Sequence, residues 1–235
     1  MTTVTDRRQL LADAAIAVIG DSGMRALTHR AVDTAADVPP GTTSYHFRTR
    51  RELLRGVLNR IADISTERLS RMPGPTDQAA ARVPTERAAR LSEALALAAR
   101  CAAFVDGQVT TFRKITLARM ACEIEVASDP ELREILHAGD RFRTMAVGAV
   151  TRLGSTNPPA HANGLIAFLE GLQFDRLVGT GSLCTATAGT DASRAEITDA
   201  VLAYLVGIVP EEHIAIATSS PGRPPTRRAR STAPR

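Results

Sequence analysis

The residues best equipped to do chemistry lie between Thr28 and Arg50. Pro40 and Gly41 lead into an unbroken run of hydroxyl, phenol and imidazole side chains, Thr42, Thr43, Ser44, Tyr45 and His46. Arg30, Arg48 and Arg50 flank that run, and Arg51 and Arg55 follow it. Such groups recognise rather than cleave. Guanidinium and hydroxyl groups donate to phosphate oxygens, and the carbons of Thr or Tyr can meet a thymine methyl. Thr42 and Tyr45 are the best candidates for base contact. Signatures of bond-making chemistry are missing: no Gly-x-Ser-x-Gly, His-Glu-x-x-His or Walker sequence occurs. Gly179-Thr-Gly-Ser182 is a lone Gly-x-Gly after a helical pattern, and Glu123 and Glu125, two apart, cannot share a helix face.

The elements that position these side chains are all helical. Leu11, Ala14, Ala15, Val18 and Ile19 repeat at helical spacing, and Gly20-Asp21-Ser22-Gly23 closes that first helix. Thr28 is a competent N-cap for a short second helix with Ala31, Val32 and Ala35 on its apolar face. Asp37 to Pro40 forms a tight break, and Pro40 fits the first position of a very short third helix ending near Phe47, itself a core residue. Thr49 caps a fourth helix carrying Leu53, Leu54, Val57, Leu58, Ile61 and Ile64. Two short helices, a tight turn and small polar residues at the start of the second form a helix-turn-helix pattern suited to a major groove.

The segment from Thr28 through Ala35-Ala36-Asp37-Val38 and Gly41 to His46-Phe47, then Arg50-Arg-Glu-Leu-Leu54, resembles the DNA-binding domain of the TetR/AcrR family of transcriptional regulators. The resemblance covers about residues 7–58; beyond it the chain is similar only in length and helical character. It implies phosphate contacts from His46 and from Arg50, the basic residue at the start of the fourth helix. It also implies a C-terminal domain that binds a small ligand and forms a homodimer. Four positions depart from the pattern. Asp37 stands where the family usually has Gly, and Asp tolerates a left-handed conformation. Pro39 replaces the usual Ser cap, which leaves the recognition helix without a side-chain cap. Thr43-Ser44 replaces an apolar residue followed by Tyr, so that tyrosine contact is lost or passes to Tyr45.

Charge follows the same division. Residues 1–60 carry nine Arg against six acids, while residues 218–235 carry five Arg and no acid. The intervening body is acidic, so the pI of about 9.5 belongs to the two ends. Aromatics make up 3% of the chain, with no Trp, which favours helices over a β-sandwich. No uncharged stretch reaches about 18 residues, so no membrane span is expected. Arg7-Arg8 before Leu10 faintly resembles a signal peptide, but Asp13 interrupts the run. Cys101, Cys122 and Cys184 form no Cys-x-x-Cys; neither zinc, disulfide nor cofactor is expected, and free thiols suit a cytoplasmic protein.

Met72 to Pro84, rich in Pro, reads as a linker. Helices are expected over Thr85–Val105, Val109–Val126, Pro130–Leu153, Ala160–Val178 and Ala192–Val209, with a loop over Gly179–Asp191. Phe104, Phe112, Met120, Phe142, Met145 and Phe168 could line a ligand cavity, with Gln108, His137 and Gln173 as polar handles. Leu165, Leu169, Leu172, Val201, Leu205 and Ile208 indicate helices buried on two sides, hence a dimer interface. The expected protein is all-α: a helix-turn-helix domain over 1–58, a ligand-binding and dimerisation domain over 59–217, and a disordered Arg/Pro-rich tail over 218–235. Its expected function is that of a homodimeric repressor released from a double-stranded DNA operator by a small-molecule effector. The alternatives are a helical small-molecule-binding protein or enzyme without a DNA role, and a DNA-compacting protein acting through the Arg tail.

Overall fold

Helix caps and close apolar contacts set the architecture of residues 4–71, 84–137 and 140–210, which the structure, a computed structural model, describes. The expected tail, nearly all of the expected linker and the side chain of His137 lie outside the described residues. Eleven helices and no strand occur among those described. They are α1 (Val4–Ser22), α2 (His29–Ala35), α3 (Thr42–His46), α4 (Arg50–Arg71), α5 (Arg87–Val109), α6 (Arg113–Glu125), α7 (Pro130–His137), α8 (Asp140–Arg152), α9 (Pro158–Leu177), α10 (Gly181–Cys184) and α11 (Asp191–Val206).

One core surrounds α1 and α4. Leu11, Ala15 and Ile19 meet Leu53, Val57, Leu58 and Ile61, while Leu27, Val32 and Phe47 seal the short helices onto them. Gly56 is required here, since a Cβ on it would stand 2.5 Å from the Phe47 ring. Body residues complete this core: Ala118 and Cys122 of α6, Val126 after it, and Leu132 of α7. A Cβ on Gly20 of α1 would lie 2.5 Å from the Lys114 carbonyl of α6, so the two backbones nearly touch. α4 itself runs unbroken past residue 58. The second core joins α5, α8, α9 and α11 through Ala98, Val105, Val150, Leu153, Ile197 and their neighbours. Alanine along α5 lets α11 lie close beside it.

The expected dimer residues require correction. Leu165, Leu169, Val201, Leu205 and Ile208 are at most 6% exposed within the single chain, and Leu172 packs against the same core. The five buried ones hold the body together and offer no face to a second copy, whereas Leu172 is half-buried. The helices α9 and α11 also carry an outward face, on which small residues such as Ala167 and Gly171 stand beside the exposed Phe174. Three expected boundaries also differ. The helix expected over Pro130–Leu153 is described as two segments, α7 and α8, on either side of residues 138–139. The loop after Gly179 contains α10, whose Gly181 amide donates to the Asp175 carboxylate (3.0 Å). Pro40 precedes α3 instead of opening it; the N-cap is Gly41, left-handed at φ 91°.

Candidate nucleic-acid interface

The N-terminal end of α2 is held by a side chain. The Thr28 hydroxyl accepts from the Ala31 amide at 3.1 Å, as an N-cap should. At the other end Asp37 is left-handed (φ 50°), the conformation its residue type tolerates. The chain then turns through Pro39, Pro40 and Gly41 into α3. The tie between the two helices is Asp33, a residue the sequence pattern did not single out. Its carboxylate, 4% exposed, accepts from the Gly41 amide (2.8 Å), the Thr43 amide (2.7 Å) and the Thr43 hydroxyl (2.5 Å). Burial opposes its ionisation, but these bonds from Thr43 and Gly41 outweigh burial and hold its pKa below the ordinary value, with His29 adding attraction. Asp33 thus supplies, from another helix, the cap that Pro39 cannot.

This arrangement sorts the candidate contact residues. Thr43 is fully buried against Asp33, so its assignment to DNA contact is corrected: it anchors the helix. Thr42 is half-buried and its hydroxyl donates to the Pro39 carbonyl (2.6 Å). Pro40, Gly41, Ser44 and Tyr45 face outward, as do Thr28, Arg30 and Arg48. Tyr45 is 82% exposed, with its ring edge-on to His46 at 5.1 Å. An apolar ring held so far into solvent at the tip of a two-helix unit is shaped to enter a groove. The end of α3 is pinned by Arg8, which donates to the His46 carbonyl (2.6 Å) and lies 4.3 Å over the Phe47 ring. His29 donates to the Phe47 carbonyl (2.7 Å).

The start of α4 is dense in arginine, and much of that charge is engaged. The Thr49 hydroxyl accepts from the Glu52 amide while the Glu52 carboxylate accepts from the Arg48 amide, a variant of the capping box. Arg50 donates to the carbonyls of Leu27 (2.5 Å) and Met24 (3.1 Å) and reaches Glu125 at 3.5 Å. It fastens α4 to the turn before α2 and is still half-exposed. Arg51 pairs with Asp129 (3.0 Å) and Glu131 (2.8 Å), and Arg55 pairs closely with Glu131. The bond from Arg51 and the charges of Arg51 and Arg55 hold the Glu131 carboxyl below its ordinary pKa. Asp129 is lowered first by the Leu132 amide, then by Arg51. Nothing local in the sequence announces these pairs, which join residues 75 to 80 positions apart.

The candidate ligand-pocket residues fall into separate groups. Phe104 stacks on Phe142 and Phe168 on Tyr204, both at 5.5 Å between ring centres. Gln108 accepts from Arg68 (2.8 Å), whose guanidinium lies 3.4 Å over Phe112 and whose pKa is lowered by burial. Gln173 donates to the Leu169 carbonyl (3.2 Å) and accepts from Arg119 (3.4 Å). Met120 and Met145 are half-buried. Two clefts lie elsewhere. One of about 300 Å³ is lined by Arg8, Thr49, Arg51, Glu52, Arg55, Gly56 and Asn59; the other, about 600 Å³, runs between α4 and α7. No helix among those described is long and apolar enough to cross a membrane, and no group of metal-ligating side chains occurs among the described residues.

Comparison with known proteins connects this geometry to a lineage. Residues 11–57 match the family described as bacterial regulatory proteins, tetR family, and residues 92–208 match the tetracyclin repressor-like C-terminal domain. The first match spans α2, the turn and α3; together the two account for well over half of the chain. Among curated proteins no significant sequence match was found. Solved structures share the fold. A transcriptional regulator from Rhodococcus sp. Rha1 superposes with a TM-score of 0.62 at 22% identity, over 86% of this chain and 95% of that one. A member of the TetR family from Streptomyces coelicolor A3 gives 0.57 at 24%, over 88% and 99%. The multidrug binding protein EbrR complexed with ethidium gives 0.54 at 24%, over 85% and 98%.

Proposed function

Because the chain belongs to the tetR family of bacterial regulatory proteins, we propose that it acts in the cytoplasm as a homodimeric repressor that leaves its DNA operator when a small molecule binds the body. The observation that carries the reading is the α2–turn–α3 unit, clamped by Asp33 and presenting Tyr45 to solvent. On this reading Tyr45 and Thr42 meet base edges. Thr28, Arg30, Ser44, His46, Arg48 and Arg50 contact phosphates, which fix register more than sequence.

Two helix-turn-helix domains, the heads of two copies, reach successive major grooves only when about 34–36 Å apart, so a dimer is required. The outward faces of α9 and α11 support one. Ala167, Gly171, Phe174 and Val178 form one exposed row, and Ala195, Asp199, Ala203 and Val206 another. Phe174 and Val178 are each about half exposed, an unusual display for large apolar groups. The small residues Ala167, Gly171, Ala195 and Ala203 let helices of two copies approach closely. This outward face replaces the one expected from the large leucines.

Release follows from the shared core. α6 contributes Ala118 and Cys122 to the head and touches α1 at Gly20, while Lys114 pairs with Asp21 at 2.8 Å. A ligand that binds more tightly when α6 is displaced shifts the heads from their DNA-competent spacing, by no more than that difference in affinity. The multidrug binding of EbrR supports a small-molecule effector for the same architecture. The test is a gel-shift titration of the best duplex against compounds that raise the melting temperature of the protein. At least one such compound is expected to weaken the complex. If every bound compound leaves duplex affinity unchanged, ligand release is wrong.

A further inference from the structure

Acidic side chains near the start of α7 are held against two arginines in the first turns of α4. Asp129, at the turn between α6 and α7, and Glu131, in the first turn of α7, engage Arg51, and Glu131 also engages Arg55. These two arginines also line the cleft that opens between α1 and α4, together with Arg8 and the α4 cap Thr49. Arg8 in turn fastens the end of the recognition helix. The cleft carries three guanidinium groups and the Glu52 carboxylate, and two of the three arginines are paired with Asp129 and Glu131. All four paired side chains keep substantial exposure, so the pairs can open without unfolding.

We infer that Arg51 and Arg55 are additional phosphate ligands of the head, held in the free protein by Asp129 and Glu131, so that this acidic turn competes with DNA for them. The inference rests on the DNA-binding reading above. A carboxylate and a phosphodiester present the same kind of anionic oxygen pair to a guanidinium fork. While Asp129 and Glu131 hold them, the two arginines make no phosphate contact in the complex; exchanging these carboxylates for phosphodiesters adds two. The same exchange couples body to head: any shift of α7 that draws Glu131 closer to Arg51 and Arg55 withholds them from DNA, and any shift that draws it away releases them. The device is electrostatic, and it operates beside the packing contact of α6 with α1.

Salt dependence reads this directly. Each phosphate neutralised steepens the fall of log affinity with log salt by roughly 0.9. The full-length Asp129→Asn/Glu131→Gln protein keeps the α7 cap, because the Asn side-chain oxygen can still accept from the Leu132 amide. Binding of this variant and of the parent chain to one mixed-sequence duplex is measured by fluorescence anisotropy across salt, with helix content checked by circular dichroism. The variant is expected to bind more tightly, with a slope steeper by roughly 1.8 for two released arginines. Its advantage then shrinks by roughly tenfold between about 50 and 200 mM salt. Adding Arg51→Gln and Arg55→Gln to the variant is expected to abolish the gain and restore the parent slope. Equal slopes for parent and variant overturn the inference, as does a gain that survives loss of both arginines, which marks simple removal of repulsion. A parent chain that binds no duplex at any salt overturns the DNA-binding reading itself.

Discussion

Replacing Asp33 by Asn changes one atom in a side chain that holds the recognition helix. One carboxylate oxygen accepts both the amide and the hydroxyl of Thr43, and the other accepts the Gly41 amide. The Asn oxygen can keep the Thr43 pair, which turns its NH2 group toward the Gly41 N–H. One charge-assisted bond thus becomes a contact between two donors, and the other two become neutral. Hydrogen bonds to charged groups contribute about 1.5–3 kcal/mol each, and neutral ones about half as much. The expected loss is about 2–4 kcal/mol near neutral pH. It is read from urea unfolding of the full chain at fixed protein concentration, as a lower midpoint at unchanged slope. The pH dependence is a second signature. The Asp33 pKa is below its ordinary value of 3.8 in the fold. The stability it supplies is therefore complete above the unfolded pKa of about 3.9 and is lost as pH falls through the lower folded value. The gap between parent and variant should narrow in acid over that range. A gap below about 0.5 kcal/mol at neutral pH, or one that does not narrow in acid, refutes the assignment of Asp33 as the cap of α3.

Other perturbations probe separate links. Thr28→Ala removes the α2 cap and should cost about 1 kcal/mol in the same unfolding assay, with Thr28→Ser restoring most of it; no loss means that the cap contributes nothing. Gly20→Ala forces a methyl group against the Lys114 carbonyl, where only backbone movement relieves it, and should destabilise by about 1–3 kcal/mol. Its unfolding midpoint matching the parent would show that α1 and α6 are not in close contact. Burial pushes the Cys101 thiol up to about 11 and, with Glu123 and Glu125 adding to burial, the Cys122 thiol up to about 12. Both should resist alkylation near neutral pH until the chain unfolds, as mass spectrometry can follow; rapid labelling of either in the folded protein contradicts their burial.

The parts of the fold that were legible in the sequence are those decided within a few residues. Thr28 before an apolar face, Asp37 accepting a left-handed turn and Phe47 as a core anchor are local matters, and the structure places each accordingly. Asp33 was not legible, because its partners lie eight and ten residues on, across a turn whose path no periodicity describes. The arginine pairs with Asp129 and Glu131 depend wholly on tertiary packing. The outer face of α9 was hidden for another reason. Hydrophobic periodicity marks large residues, and these turn inward, while the outward row begins with Ala167 and Gly171, which carry little hydrophobic signal.

The central claim is that α2, the turn and α3 read a DNA sequence on behalf of a dimer. Selection of bound duplexes from a random pool by the full chain tests it most directly. The account predicts enrichment of an inverted repeat whose half-sites lie about one helical turn, roughly 10 base pairs, apart. It further predicts that Tyr45→Ala, a change at an exposed side chain that leaves the fold intact, loses or alters that preference. Recovery of no common sequence, or of the same sequence undiminished by Tyr45→Ala, would contradict it.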